Sequence, residues 1–198
     1  KCIYDLGSGN VSNTRWVLRY HKVNFSVVGA VNATGYSGIG STDTSVSQSG
    51  NQDFVGMIWN DNGENGEYGN LYADDSALPG RNNTNSDQVT YIPTVGVDYY
   101  VEIERFNSTV LILRFYSDAF RTLIFSCRQA VSAGVINGRY ITFQNSVSAT
   151  GDTPIEFTID KVEFFNDVST QNGTVGLPSA ATTVNGSELI DKDTGREF

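Results

Sequence analysis

Hydrophobic and polar positions along this chain alternate with a period of two, or run together as β-branched and aromatic blocks, in six places. These are RWVLRYHKVNFSVV (15–28), DFVGMIW (53–59), YYVEIERF (99–106), VLILRFYSD (110–118), RYITFQN (139–145) and EFTIDKVEFF (156–165). Blocks of that length and composition predict strands. Clusters of Gly, Asn, Asp, Ser and Thr such as SGIGSTDTSVSQSGNQ and NDNGENGEYGN separate them, and clusters of that kind signal loops. The helical period of 3.6 is hard to find anywhere, so the chain reads as all-β. In RFNSTVLILRF an Asn-Ser turn joins two strong strands, which predicts a hairpin. Its alternation places Val101, Ile103, Leu111 and Leu113 inward and turns Glu102 and Glu104 out to solvent.

The stretch PIEFTIDKVEFFND (154–167) sets three carboxylates, Glu156, Asp160 and Glu163, within eight residues. Strict alternation puts Glu156 and Asp160 on one face and Glu163 on the other. Asp160 and Glu163 are therefore expected to diverge, and Glu156 and Asp160 to stand two pleats apart. Neither spacing suits the paired acids of a glycosidase. The single histidine, His21, lies inside a strand-like run beside Lys22, which makes it a strand-face residue and not the base of a Ser-His pair.

At 198 residues with 12% aromatics, the chain can build one full core. Residues 1–167 are expected to form it, and 168–198 to be an extended tail or linker. The formal net charge of −9 excludes nucleic acid as a partner, because a phosphate backbone demands clustered Lys and Arg. No run of 18 apolar residues exists, so no membrane-spanning helix is expected. No charged-plus-apolar leader follows Lys1, so any signal peptide is expected to have been removed or to lie outside this sequence.

The hairpin YYVEIERFNSTVLILRFYSD, followed by RYITFQNS and FTIDKVEFFNDVS, resembles the last third of a concanavalin A-like lectin/glucanase sandwich of the laminin-G-like kind. IYDLGS and RWVLRYHKVNFS resemble its opening strands, so the resemblance spans about residues 3 to 167. It implies a two-sheet antiparallel β-sandwich, a jelly roll, with one concave sheet where relatives bind sugars. It also implies no hydrolysis, because the Glu-x-Asp-x-Glu signature of the glucanases is absent here. Relatives often carry Ca²⁺ at the sandwich rim, and Asp61, Glu64, Asp74 and Asp75 are the oxygen donors this chain offers for it, although they match no fixed calcium-loop spacing and a solvated acidic loop explains them as well.

The same region supplies a candidate sugar site. Trp59, Tyr68 and Tyr72 would give the flat platform and Asn60 and Asp61 the hydroxyl partners, with Trp59 weighted toward the core by its place at a strand end. Seven Asn-x-Ser/Thr sequons, at Asn10, Asn24, Asn32, Asn82, Asn107, Asn172 and Asn185, point to a glycosylated, extracellular protein. Cys2 and Cys127 are the only cysteines. In that compartment a disulfide between them would close a very long loop, adding about 4 to 5 kcal/mol; two separate buried thiols are the alternative.

The tail contains apolar stations at Val175, Leu177, Val184, Leu189 and Ile190 among Ser, Thr and Gly. Such a segment cannot form a core but can lie along a sheet edge. Its polar spacer favours addition to a neighbouring copy over addition to its own sandwich. Together these features predict a non-catalytic, glycosylated structural or adhesive module of a surface layer, filament or virion. A carbohydrate-binding lectin module is the alternative and a glycoside hydrolase the remote one.

Overall fold

The structure, a computed structural model, describes residues 1–23, 33–46, 52–61, 67–74, 94, 97–146, 158–167, 182–184, 190–191 and 196–197. Ten strands precede the tail: β1 (Cys2–Asp5), β2 (Trp16–Val23), β3 (Ala33–Gly40), β4 (Phe54–Asp61), β5 (Glu67–Asp74), β6 (Tyr99–Asn107), β7 (Val110–Tyr116), β8 (Leu123–Ala130), β9 (Tyr140–Ser146) and β10 (Thr158–Asn166). Three short strands follow, β11 (Thr182–Val184), β12 (Ile190–Asp191) and β13 (Arg196–Glu197). They form two antiparallel sheets, in the orders β13-β12-β1-β9-β3-β4-β5 and β11-β10-β2-β6-β7-β8. Without the tail strands each sheet has five. In both sheets an early strand is flanked by a late one, β1 by β9 and β2 by β10, which is the jelly-roll closure of a β-sandwich.

Alternation builds the core between the sheets. Trp16, Leu18 and Tyr20 of β2, Val101 and Ile103 of β6, Leu111, Leu113 and Phe115 of β7, and Val162 and Phe164 of β10 meet Ile39, Val55, Met57, Trp59, Leu71, Ile141 and Phe143 of the other sheet. The expected inward positions of the β6–β7 hairpin are therefore correct. Ser37, Tyr20 and Trp59 satisfy one another inside: Ser37 Oγ lies 2.7 Å from the Tyr20 hydroxyl and accepts from Trp59 Nε1 at 3.3 Å. Trp59 is fully buried and meets Phe115 edge-on at 5.8 Å.

The outer face of the seven-stranded sheet has its own apolar cover of Tyr36, Val46, Phe54, Ile58 and Tyr72. Gly38 faces Gly56 across β3 and β4. A Cβ on Gly56 would stand 2.2 Å from the Ser37 carbonyl oxygen and 2.6 Å from Gly38 Cα, so backbone atoms forbid a side chain there. The Phe54 ring closes over the glycine pair and packs against Tyr36 and Tyr72. Gln144 clamps the covering segment, accepting from Val46 N at 2.8 Å and donating to Val46 O at 3.1 Å.

The described pieces of the tail border both sheets: β11 pairs with β10 and β12 with β1 of the same chain. Since β5 packs over β7, β1 and β10 lie on the same side of the sandwich, and β12 and β11 border them there. Unpaired edge groups are available in cis, and a tethered strand reaches them at high effective concentration. Val184 and Ile190 lie on these strands; Val175, Leu177 and Leu189 are outside the described residues. Cys2 and Cys127 were expected to share a sheet edge and bond. They are not bonded to each other, because the strand order puts β1 in one sheet and β8 at the far edge of the other.

Deleting residues 168–198 should leave the ten-strand sandwich folded but with the β1 and β10 edges bare. The expected outcome is an unchanged far-ultraviolet dichroism signature with new concentration-dependent association in light scattering. A truncated chain that stays monomeric and equally resistant to urea would show that the tail protects neither edge.

Candidate functional site

The outer face of the six-stranded sheet concentrates the chain's polar chemistry. Cross-strand register sets Glu163, Arg19, Glu102 and Arg114 in one row over β10, β2, β6 and β7, and Asp160, His21, Tyr100 and Tyr116 in the next. In the first row opposite charges stand directly opposite each other, the favourable cross-strand arrangement. Glu102 Oε2 accepts from Arg19 Nε at 2.6 Å. Its Oε1 accepts from Arg114 Nη1 at 2.6 Å and from the Tyr116 hydroxyl at 3.3 Å. Arg114 Nη1 also donates to Glu104 Oε2 at 2.7 Å.

This overturns the expectation that Glu102 and Glu104 face water. Both point away from the core, as alternation required, but both are 0% exposed. The outer face is covered, so its charges must find partners within the sheet. Burial alone would lower the pKa of the Arg114 guanidinium; the charge and hydrogen bonds of Glu102 and Glu104 outweigh it and leave the value raised. Burial, then the charge of Glu102, pushes the Tyr116 phenol up to about 12.

The second row is more open. His21 Nδ1 lies 2.7 Å from Asp160 Oδ1 and its Nε2 3.7 Å from Asp98 Oδ2. The imidazole stacks on Tyr100 at 4.5 Å with 23° between planes, and Lys161 Nζ stands 5.8 Å from the centre of the same ring. The side chains of Asp160 and Asp98 are 46% and 53% exposed. His21 is thus a strand-face residue that carries an ion-pair geometry the sequence did not announce.

The expected divergence of Asp160 and Glu163 is also wrong. Asp160 pairs with His21 and Glu163 with Arg19, so Lys161 and Val162 together oppose Tyr20 alone. A β-bulge supplies the extra residue, with Lys161 at φ 50. It restores both acids to the outer face, while Val162 and Phe164 keep to the core. Glu156 lies outside the described residues.

The loop-region candidates do not assemble as expected. Trp59 points into the core and Tyr72 into the opposite, outer cluster, so alternation splits them and burial denies both an open ring face. Asn60 and Tyr68 are register partners on β4 and β5, as are Asp61 and Glu67. Asp74 pairs with Phe54 at the other end of the same ladder. At about 3.3 Å per residue that is some 20 Å from Asp61, too far to share one ion. Glu64 and Asp75 lie outside the described residues, and among the described ones no three His, Cys, Asp or Glu side chains could hold a metal.

Of the sequons, Asn10 is exposed and Asn107 half-buried in the hairpin turn, where its Oδ1 accepts from Thr109 N at 2.9 Å. Asn24, Asn32, Asn82, Asn172 and Asn185 fall outside the described residues. Among the described residues no helix is long and apolar enough to cross a membrane.

Chemically, the face divides into the quartet of Arg19, Glu102, Arg114 and Glu104, whose charges cancel, and a rim of Asp98, Asp160, Lys161 and Glu163 around Tyr100, with His21 buried beside it. The quartet binds itself; the rim offers donors and acceptors to a ligand. At the end of the sandwich a separate cavity of about 10 Å³, room for one water, is lined by Trp16, Asp53 and Arg105 among others. Burial, partly offset by Asp53, lowers the Arg105 pKa to about 10, and Arg105 Nε has no protein partner.

No family model and no curated protein matches this chain. Among solved structures, an alginate lyase Aly36B variant in complex with an alginate trisaccharide is similar over 83% of this chain and 71% of its own, with a TM-score of 0.50 and 13% identity. Sheep galectin-11 in complex with glycerol is similar over 80% and 95%, with a TM-score of 0.48 and 8% identity. At these identities the likeness concerns the fold, a two-sheet jelly-roll sandwich, and nothing of the chemistry.

Two measurements test the buried row. Arg114→Leu removes a hydrogen-bonded cation from both Glu104 and Glu102, and should lower stability to urea by about 3–5 kcal/mol, the cost of breaking a buried pair. Arg114→Leu with Glu104→Leu balances the charge again and should recover most of the loss; a double variant weaker than the single one would refute the pairing. For Tyr116, the raised folded-state pKa means that the folded chain favours the neutral phenol. Its contribution is whole below the ordinary value near 10 and lost as pH rises toward about 12. Urea midpoints measured across that window should fall less steeply in Tyr116→Phe than in the parent.

Proposed function

We propose that this chain is a non-catalytic recognition module of an extracellular or surface assembly, a laminin-G-like member of the concanavalin A-like sandwiches, and that it adheres to hydroxyl-rich glycans through the outer face of its six-stranded sheet. The observation that carries the reading is the partition of that face. Glu102 and Glu104, which share Arg114, are bound to Arg19 and Arg114 and sealed from solvent, which leaves neither free for acid or base work on a substrate. The rim of Asp98, Asp160, Lys161 and Tyr100 is accessible and mixes acceptors, a cation and an aromatic ring, the combination that sugar hydroxyls and C–H faces engage. The net charge of −9 disfavours a polyanionic ligand over a neutral one. The sequons at Asn10 and Asn107 support a secreted setting, in which the module is held among neighbouring domains or copies of a larger assembly.

Binding to an array of neutral and acidic glycans tests this, followed by titration of any hit. A neutral oligosaccharide should bind, and Asp160→Ala should weaken it by about tenfold, the loss of one charge-assisted hydrogen bond. Incubation should release no shortened products. Absence of binding across neutral glycans would defeat the recognition reading, and cleavage that disappears in His21→Ala would make the protein an enzyme.

A further inference from the structure

Phe120 stands in the turn between β7 and β8 with φ 60, a backbone conformation that bulky L-residues rarely adopt and that glycine or asparagine would normally take. The turn is closed tightly on either side of it. Ser117 N donates to Thr122 O at 3.1 Å. Asp118 Oδ1 accepts from Arg121 N at 3.1 Å and Thr122 N at 2.7 Å, and Asp118 Oδ2 accepts from Thr122 Oγ1 at 2.9 Å. Ala119, Arg121 and Thr122 are exposed. Only the Phe120 ring folds back over the sheet.

Its surroundings are specific. The ring meets Tyr100 edge-on at 5.3 Å and Tyr116 at 5.6 Å, and the Arg19 guanidinium lies 4.5 Å from its centre. Beneath are the Tyr116 hydroxyl and Glu102. None of these groups belongs to the hydrophobic core, which occupies the other face of the sheet. A strained residue that contributes nothing to the main core, yet places a flat ring between two tyrosines and a guanidinium, occupies a preformed slot.

We infer that Phe120 is an internal plug for a ring-sized subsite formed by Arg19, Tyr100 and Tyr116, and that a pyranose ring takes its place when the turn swings out. The inference rests on the recognition reading above and extends it from the open rim to the slot beside it, with Tyr100 common to both. A pyranose has the required shape: its C–H face packs on a tyrosine ring as the Phe120 edge does, and its hydroxyls meet Arg19 and the Tyr116 oxygen. The positive φ at Phe120 is a cost borne by the plugged state, and an open turn that relieves it would offset part of the cost of opening. Because the plugged state competes with ligand, apparent affinity is reduced by the fraction of molecules that are open.

The test uses the full chain and two variants, Phe120→Gly and Phe120→Asn, which both remove the ring and suit the left-handed backbone. Arg19 is followed by mass spectrometry of phenylglyoxal adducts, the oligosaccharide selected on the array by titration, and folding by circular dichroism. Both variants should remain folded, modify Arg19 several-fold faster and bind the oligosaccharide about tenfold more tightly than the parent. Unchanged Arg19 modification overturns the plug. Faster modification with weaker binding also overturns it, because the ring would then be part of the platform. Faster modification with no glycan bound by parent or variants upholds Phe120 as the cover of Arg19 and overturns the recognition reading instead.

Discussion

Glu102 is held by two arginines from the strands on either side of it, and the register of the six-stranded sheet depends on that arrangement. Arg19 on β2, Glu102 on β6 and Arg114 on β7 are direct cross-strand partners. Slipping β6 by one residue would turn Glu102 and Glu104 into the core and Val101 and Ile103 out of it, since side chains alternate with a period of two. The hydrophobic pattern and the charge pattern therefore select the same register from opposite faces. A buried ion network is weak evidence for net stability, because desolvation consumes much of the Coulomb gain. Its contribution here is to make every other pairing worse.

How much of this was legible in the sequence varies with the kind of information needed. The six alternating blocks became β2, β4, β6, β7, β9 and β10 because strand period and core burial are the same fact seen twice. β3, ATGYSGIG, was missed because its glycines remove the apolar signal; one of them, Gly38, lets β3 approach Gly56 of β4 under Phe54. β8, LIFSCRQA, was missed as an edge strand that buries little, with Leu123 and Ile124 largely exposed. β1 entered only through the resemblance.

The site was less legible than the fold. Alternation correctly sent Glu102 and Glu104 to the outer face, but whether that face is wet or covered depends on partners distant in sequence, Arg19 on β2 and the Phe120 turn beyond β7. The bulge at Lys161 has no signature in TIDKVEFF, and one extra residue reverses the face assignment of everything before it. The cysteine pairing failed for a topological reason: two strands cannot be assigned to a common edge until the order of all the strands is known.

The two outer faces of the sandwich are covered by different chemistry, and this difference decides which of them can respond to a ligand. On the seven-stranded sheet, Val46 is pinned by both ends of the Gln144 amide over an aromatic cluster. Opening it would expose apolar surface and leave a buried amide unpaired, both unfavourable in water. On the six-stranded sheet, among the described residues, one strained turn carrying one ring lies over Arg19, Tyr100 and Tyr116, and with it is a set of charges that water or hydroxyl groups can solvate. A polar ligand therefore gains access to the six-stranded face at lower cost than to the other, and the Arg–Glu row that fixes the register keeps the floor of the site in place while its cover moves.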